Sequence, residues 1–155
     1  AQQQLPHWGG VLRIVGRGVS DSAELQALRR ALPRPEGLEL IQELNPDQLL
    51  RVLRSSLALV SASLEEGFDY PVLEAKAEGV PTLLSHIPVH AEYHNGSSLF
   101  FPPEGGEEAF AVGLRSLLTD SRLWRDLSAA GRDLALSLSL TRQQRALSMQ
   151  MADLS

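Results

Sequence analysis

Residues 65–75 read Glu65-Glu66-Gly67-Phe68-Asp69-Tyr70-Pro71-Val72-Leu73-Glu74-Ala75, which sets two carboxylates, Glu66 and Glu74, eight positions apart across a glycine-bearing turn and a helix start. Pro71 suits the first helical turn, where its missing N–H costs nothing, and Val72, Leu73, Ala75 and Ala77 supply an apolar side. Glu66 is therefore expected in the loop and Glu74 one turn inside the helix. N–H groups at a helix N-terminus favour an anion, above all a phosphate, and a carboxylate further along can accept hydrogen bonds from sugar hydroxyls. The stretch suits a ligand that is both phosphorylated and polyhydroxylated.

Outward from it, short β-like runs alternate with helical ones: Val11 to Val15, Leu38 to Ile41, Leu57 to Ser61, Pro81 to Ser85 and Ser98 to Phe101. Each is bounded by polar, Gly or Pro residues and is mostly continuous rather than alternating in apolar character. That is the pattern of strands buried on both faces, and it predicts an α/β fold, a parallel sheet covered by helices. Asp21 followed by Glu24 predicts a capping box and a helix to about Leu32, and Asn45-Pro46-Asp47 opens another to about Ser55. Gly79 fits a left-handed cap after the Glu74 helix. Gly16-Arg17-Gly18 lacks the third glycine of a dinucleotide fingerprint and reads as a strand-to-helix turn. Ligands bind outside the carboxyl ends of strands in open α/β sheets, and Glu66 follows such an end.

Composition limits the function classes. At 155 residues, 43% hydrophobic and 21% charged, the chain is expected to be one domain with a proper core. A net charge of −5 argues against nucleic-acid binding, which needs a basic face. No apolar run is long enough for a transmembrane segment and no signal peptide is visible, so a cytoplasmic location is expected. Cysteine is absent, which removes disulfides and thiolate metal sites. His86, His90 and His94 recur every four residues, a zinc-compatible spacing on a continuous helix, but Pro88 interrupts it. They are read as polar loop residues, and no metal site is assigned. Trp8 and Trp124 are read as packing anchors.

The run Ala62-Ser63, Glu66 to Pro71, Leu73-Glu74-Ala75, Gly79-Val80-Pro81 and Ser85-His86-Ile87-Pro88-Val89-His90-Ala91-Glu92 resembles the Glu-x7-Glu signature and following loop of retaining GT-B glycosyltransferases. These are the family 4 type, glycosyl transferases group 1. Leu99 to Pro103, the helical stretch Glu107 to Asp120 and the turn at Leu12 to Gly18 extend the likeness over nearly the whole chain. The resemblance implies a Rossmann-like domain, the C-terminal half of a GT-B fold, that binds a nucleotide-diphosphate sugar. Glu74 would accept from the donor's ribose hydroxyls and Glu66 would face the transferred sugar as the catalytic residue. Backbone N–H groups around Gly67, Phe68, Asp69 and Tyr70 would meet the sugar and diphosphate, and the base would lie over the loop from Gln42 to Leu44. No metal or cofactor is implied.

This chain has Asp69 where the resemblance expects glycine, Gln42 where glycine is common and Ala62 where proline is common. The family's domain also begins with a strand and an Arg and Lys that clamp the donor phosphates, whereas the only lysine here is Lys76. On this reading residues 1–155 are one donor-binding domain truncated at its N-terminus, with residues 1 to 8 the tail of a helix. The partner is an N-terminal acceptor-binding domain of the same full-length protein. Asp69 and the missing clamp prompt a second reading, a non-catalytic binding or scaffold module of the same fold. The tail from Thr141 to Ser155 is expected to form a helix with Leu147, Met151 and Leu154 on one side.

Overall fold

A computed structural model describes residues 9–152, with side chains described through residue 139. The chain divides into two compact units, Ala1–Val52 and Leu53–Ser155. In the first, β1 (Leu12–Val15) pairs in parallel with β2 (Leu38–Ile41), Leu12 opposite Leu38 and Val15 opposite Ile41. Helix α1 (Ala23–Ala31) crosses over between them. Its cap is Ser22, whose hydroxyl accepts from the Leu25 N–H at 3.3 Å, so the helix opens one residue later than Asp21 predicts. α2 (Pro46–Arg54) carries a reciprocal capping box: Asn45 Oδ1 accepts from the Gln48 N–H at 2.9 Å and Gln48 Oε1 from the Asn45 N–H at 3.0 Å. Expected burial on both faces does not hold for β1, whose Leu12 and Arg13 are exposed. Arg13 uses that exposure to pair with Glu39 across the sheet at 2.7 Å.

The second unit is built on a three-stranded parallel sheet in the order β3 (Leu59–Ser61), β4 (Thr82–Ser85), β5 (Leu99–Phe101). Every residue of β4 is buried, as a central strand covered on both faces requires. Between strands run α3 (Tyr70–Ala77) and α4 (Pro88–His94), and after β5 come α5 (Glu107–Thr119) and α6 (Ser121–Ala152). α3 packs on β3 and β4, α5 on β4 and β5, and α6 against both helices. Val72 and Ala75 of α3, Leu83 and Leu84 of β4 and Ala111 of α5 form the fully buried centre. Phe101 and Phe110 meet edge to face at 5.3 Å where α5 leaves β5.

Two expectations are corrected here. Residues 88–94 are a helix, not a loop, because Pro88 sits at the start of α4, where its missing N–H has no intrahelical partner to lose. The helix expected from Thr141 is the continuation of one that opens at Ser121, where Asp120 Oδ1 accepts from the Arg122 and Leu123 N–H groups at 3.0 and 2.9 Å. The side chains of Leu147 and Met151, and all of Leu154, residues 1 to 8 and Trp8, lie outside the described residues. Trp124 is an anchor as expected, donating its indole N–H to Leu57 O at 2.9 Å.

Gly79 ends α3 with φ +74°, and the Val80 N–H reaches Ala75 O at 2.8 Å while its own N–H reaches Lys76 O at 2.9 Å. This is a Schellman cap, and it turns the chain into β4. Gly79 also lies under α6: its carbonyl accepts from Ser128 Oγ at 2.6 Å, and an added Cβ would run into the Arg132 guanidinium. Because that guanidinium can swing aside, the left-handed backbone dominates the cost of substitution. Gly79→Ala is expected to lower stability by about 1–2 kcal/mol, read as a reduced urea midpoint with an unchanged slope.

Candidate functional site

The loop from Ala62 to Asp69 leaves the carboxyl end of β3 and delivers the chain to the N-terminus of α3. Glu66 and Glu74 are both exposed, as are Gly67 and Tyr70, while Phe68 is half-buried. The second unit thus presents both expected carboxylates to solvent, one on the loop and one on the helix. Pro71 stands in the first turn of α3, and Asp69 is its N-cap position. The Asp69 carbonyl takes the Val72 and Leu73 N–H groups at 3.2 and 3.4 Å.

Asp69 caps nothing with its side chain. Its carboxylate turns inward, 7% exposed by residue, where Oδ2 accepts from Ser61 Oγ at 2.5 Å and lies 3.2 Å from His90 Nε2. His90 is fully buried, and its other ring nitrogen, Nδ1, is 2.8 Å from the Ser85 carbonyl. A carbonyl only accepts, so Nδ1 carries hydrogen where it meets Ser85, and Nε2 is left facing Asp69 Oδ2. Removing one partner of a buried pair of this kind leaves the other without its contact, at a cost of about 3–5 kcal/mol. Ser63 ties the same loop twice: its carbonyl accepts from Ser85 Oγ at 2.6 Å, and its hydroxyl donates to Glu66 Oε1 at 2.7 Å. Phe68 adds edge-to-face contacts with Tyr70 at 5.2 Å and with Tyr93 of α4 at 5.5 Å.

The histidine reading is corrected accordingly. His90 and His94 share the buried side of α4, and of these three His86 alone is exposed. Their spacing reflects a helix face packed inward, and among the described residues no group of three His, Cys, Asp or Glu is arranged to hold a metal ion. Leu44, expected near the base, is half-buried in the loop between β2 and α2 of the first unit. In the same loop Gln42 accepts from the Gly18 N–H at 3.1 Å and donates to Asp21 at 3.2 Å, so it ties the turns after β1 and β2 together.

Sequence reasoning passed over Lys76. Its ammonium is buried under α6 and donates to Ser97 O, Ser97 Oγ and Ser98 Oγ at 2.6, 2.8 and 2.9 Å. Burial lowers its pKa to about 8. Three matched acceptors place the lysine, but they lie more than twenty residues away in sequence, so no local signal marks it.

The geometry is that of a parallel-stranded α/β protein with its exposed polar loop at the carboxyl ends of the strands, and known proteins share it. Anabaena HepE, solved in complex with UDP and glucose, superposes with a TM-score of 0.77 at 15% identity over 96% of this chain and 43% of that one. That is the GT-B glycosyltransferase fold. Glycosyltransferase 1 domain-containing protein 1 of Xenopus tropicalis is 31% identical over 116 residues, covering 74% of this chain and 32% of the relative. The O-antigen chain mannosyltransferase RfbU of Salmonella typhimurium is 30% identical over 92 residues, 59% of this chain and 26% of the relative. The chain therefore spans about a third or less of the length of these curated relatives. The family Glycosyl transferases group 1 matches residues 5–134, and the chain belongs to it.

One titrating group beside the site has a measurable consequence. His94 is buried, its Nδ1 has no hydrogen-bond partner, and its pKa is lowered to about 4 by burial first and then by the charges of Lys76 and His90. The unfolded chain binds this proton at its ordinary pKa of 6.5, so between pH 6.5 and 4 the unfolded state holds more protons than the folded one. Stability from His94 is full above pH 6.5 and is lost as pH falls towards 4, by on the order of 3 kcal/mol. Urea unfolding at pH 7.5 and 4.5 should show this loss, and His94→Gln should reduce the difference between the two.

Proposed function

We propose that this chain binds the donor of a glycosyl transfer, a nucleoside-diphosphate sugar, and serves its transfer with retention of anomeric configuration. One observation carries the reading. Glu66 and Glu74 stand exposed on either side of the N-terminal turn of α3, while Asp69, whose carboxylate at the helix start would repel a diphosphate, is turned inward onto His90. The inward turn of Asp69 favours this reading over the non-catalytic one.

In this reading Glu74 accepts hydrogen bonds from ribose hydroxyls and Glu66 holds the hydroxyls of the transferred sugar, orienting its anomeric carbon. Backbone N–H groups from Gly67 to Tyr70, with the positive end of α3, face the diphosphate and stabilise it increasingly as it departs. Lys76 supplies none of the charge compensation, because it is buried beneath α6 with its N–H groups on Ser97 and Ser98. The bound UDP and glucose of the HepE structure and the mannosyltransferase name of RfbU support a hexose nucleotide as the donor class. An acceptor-binding domain elsewhere in the full-length protein belongs to the same proposal.

The test is titration of the full-length protein with UDP, GDP, UDP-glucose and GDP-mannose, followed by kinetics on whichever donor binds. Glu74→Ala should weaken donor binding by about 1.5–3 kcal/mol, the worth of a charge-assisted hydrogen bond. Glu66→Ala should chiefly lower kcat, because its contact is at the reacting sugar. If both substitutions leave binding and turnover unchanged, the reading is wrong.

A further inference from the structure

We propose that Asp69 is a positioning residue for Glu66, acting through His90 and Ser85; this rests on the glycosyl-transfer reading above. The apolar anchorage of the loop bearing Glu66 is confined to Phe68 against Tyr70 and Tyr93, since Leu64 is 71% exposed and residues 64 to 67 all face solvent. What holds it are two polar tethers, Ser63 three residues before Glu66 and Asp69 three residues after. Both end on Ser85, the last residue of β4. The Ser85 hydroxyl holds the Ser63 carbonyl at 2.6 Å, and the Ser85 carbonyl accepts from His90, which holds Asp69 at 3.2 Å. Between the tethers, Ser63 Oγ fixes Glu66 Oε1 at 2.7 Å.

A buried ionic contact is a poor source of net stability, because desolvation offsets most of its attraction. Its effect here is geometric. A carboxylate pinned between β3, through Ser61, and α4, through His90, sets where the loop ends and α3 begins. The same pairing keeps the Asp69 carboxylate turned inward, away from the surface that a diphosphate would occupy. Loss of the tether should free the loop, so that Glu66 samples orientations in which it no longer meets the sugar, while Glu74, on α3 itself, keeps its place.

The decisive comparison uses the full-length protein with UDP-glucose or GDP-mannose as donor and the variants Asp69→Ala, Asp69→Asn, Glu66→Ala and the Asp69→Ala/Glu66→Ala double. Asp69→Ala should lower kcat about tenfold or more while KM for the donor and affinity for the free nucleoside diphosphate change less than about threefold. The double variant should be no slower than Glu66→Ala, since both act through one group. Asp69→Asn, whose amide can donate to an unprotonated His90 Nε2, should recover most of the rate. Backbone hydrogen exchange in Asp69→Ala should quicken over residues 62–69 by a larger factor than in α5, where any change follows global stability.

Multiplicative losses in the double variant, or an exchange pattern unchanged at the loop, would overturn the proposal. If Asp69→Ala does not fold, Ser61→Ala, which removes one of the two bonds to the same oxygen, is read by the same criteria. If the unsubstituted protein transfers no sugar from either donor, the glycosyl-transfer reading fails separately. The loop's exchange then decides the tether: selective quickening supports it, and no change refutes it.

Discussion

The complete burial of β4 is the constraint on which the second unit depends. The strand begins and ends with a hydroxyl, Thr82 and Ser85, and neither can reach water. A buried hydroxyl without a partner is costly, so the surrounding elements must supply partners at both ends. At the amino end Thr82 Oγ1 meets Ser98 Oγ at 2.7 Å, and Ser98 in turn accepts from Lys76. At the carboxyl end Ser85 holds Ser63 and His90. The placement of α3, α4 and the β3–α3 loop follows from satisfying one short strand.

The two ends differ in chemistry. Around Lys76 the network is closed: three acceptors match the three N–H groups of one ammonium, and Ser97 Oγ donates onward only to His94 O at 3.0 Å. Such a cluster joins α3 to the turn before β5, and its charge is felt by His94, which it helps keep neutral. Around Asp69 the network runs outward, from the buried His90 through Ser85 and Ser63 to the exposed Glu66 carboxylate. Buried polar groups that are fully matched specify geometry more than they add stability. Here the specified geometry ends on the residue proposed to face the transferred sugar.

Much of the fold was legible because its signals are local. Pro71 and Gly79 bracket α3 through φ preference alone, and the reciprocal Asn45 and Gln48 contacts open α2 where the dipeptide Asn45-Pro46 indicates. The same proline logic misread α4, since Pro88 at a helix start and Pro88 inside a broken helix look alike in sequence. The opening of α6 escaped because its inward stripe of Leu127, Ser128, Gly131 and Ala135 is small and partly polar. It matches the close approach to α3, where a Cβ on Gly131 would lie 3.2 Å from Lys76, and carries almost no hydrophobic pattern.

The sequence by itself determined the succession of the strands, the caps of α2 and α3, and the exposed pair Glu66 and Glu74, because each rests on neighbours within a turn or two. Only the tertiary structure decided which way Asp69, His90, His94 and Lys76 face. By residue type all four belong at the surface. Asp69, His90 and Lys76 are buried where Ser61, Ser85, Ser97 and Ser98, brought close by the sheet, offer the hydrogen bonds that water would otherwise provide, and His94 is buried beside them with its Nδ1 unmatched. Those partners stand between 5 and 22 residues away in sequence, and the β-α-β crossovers that bring the distant ones together are properties of the fold and of no local segment.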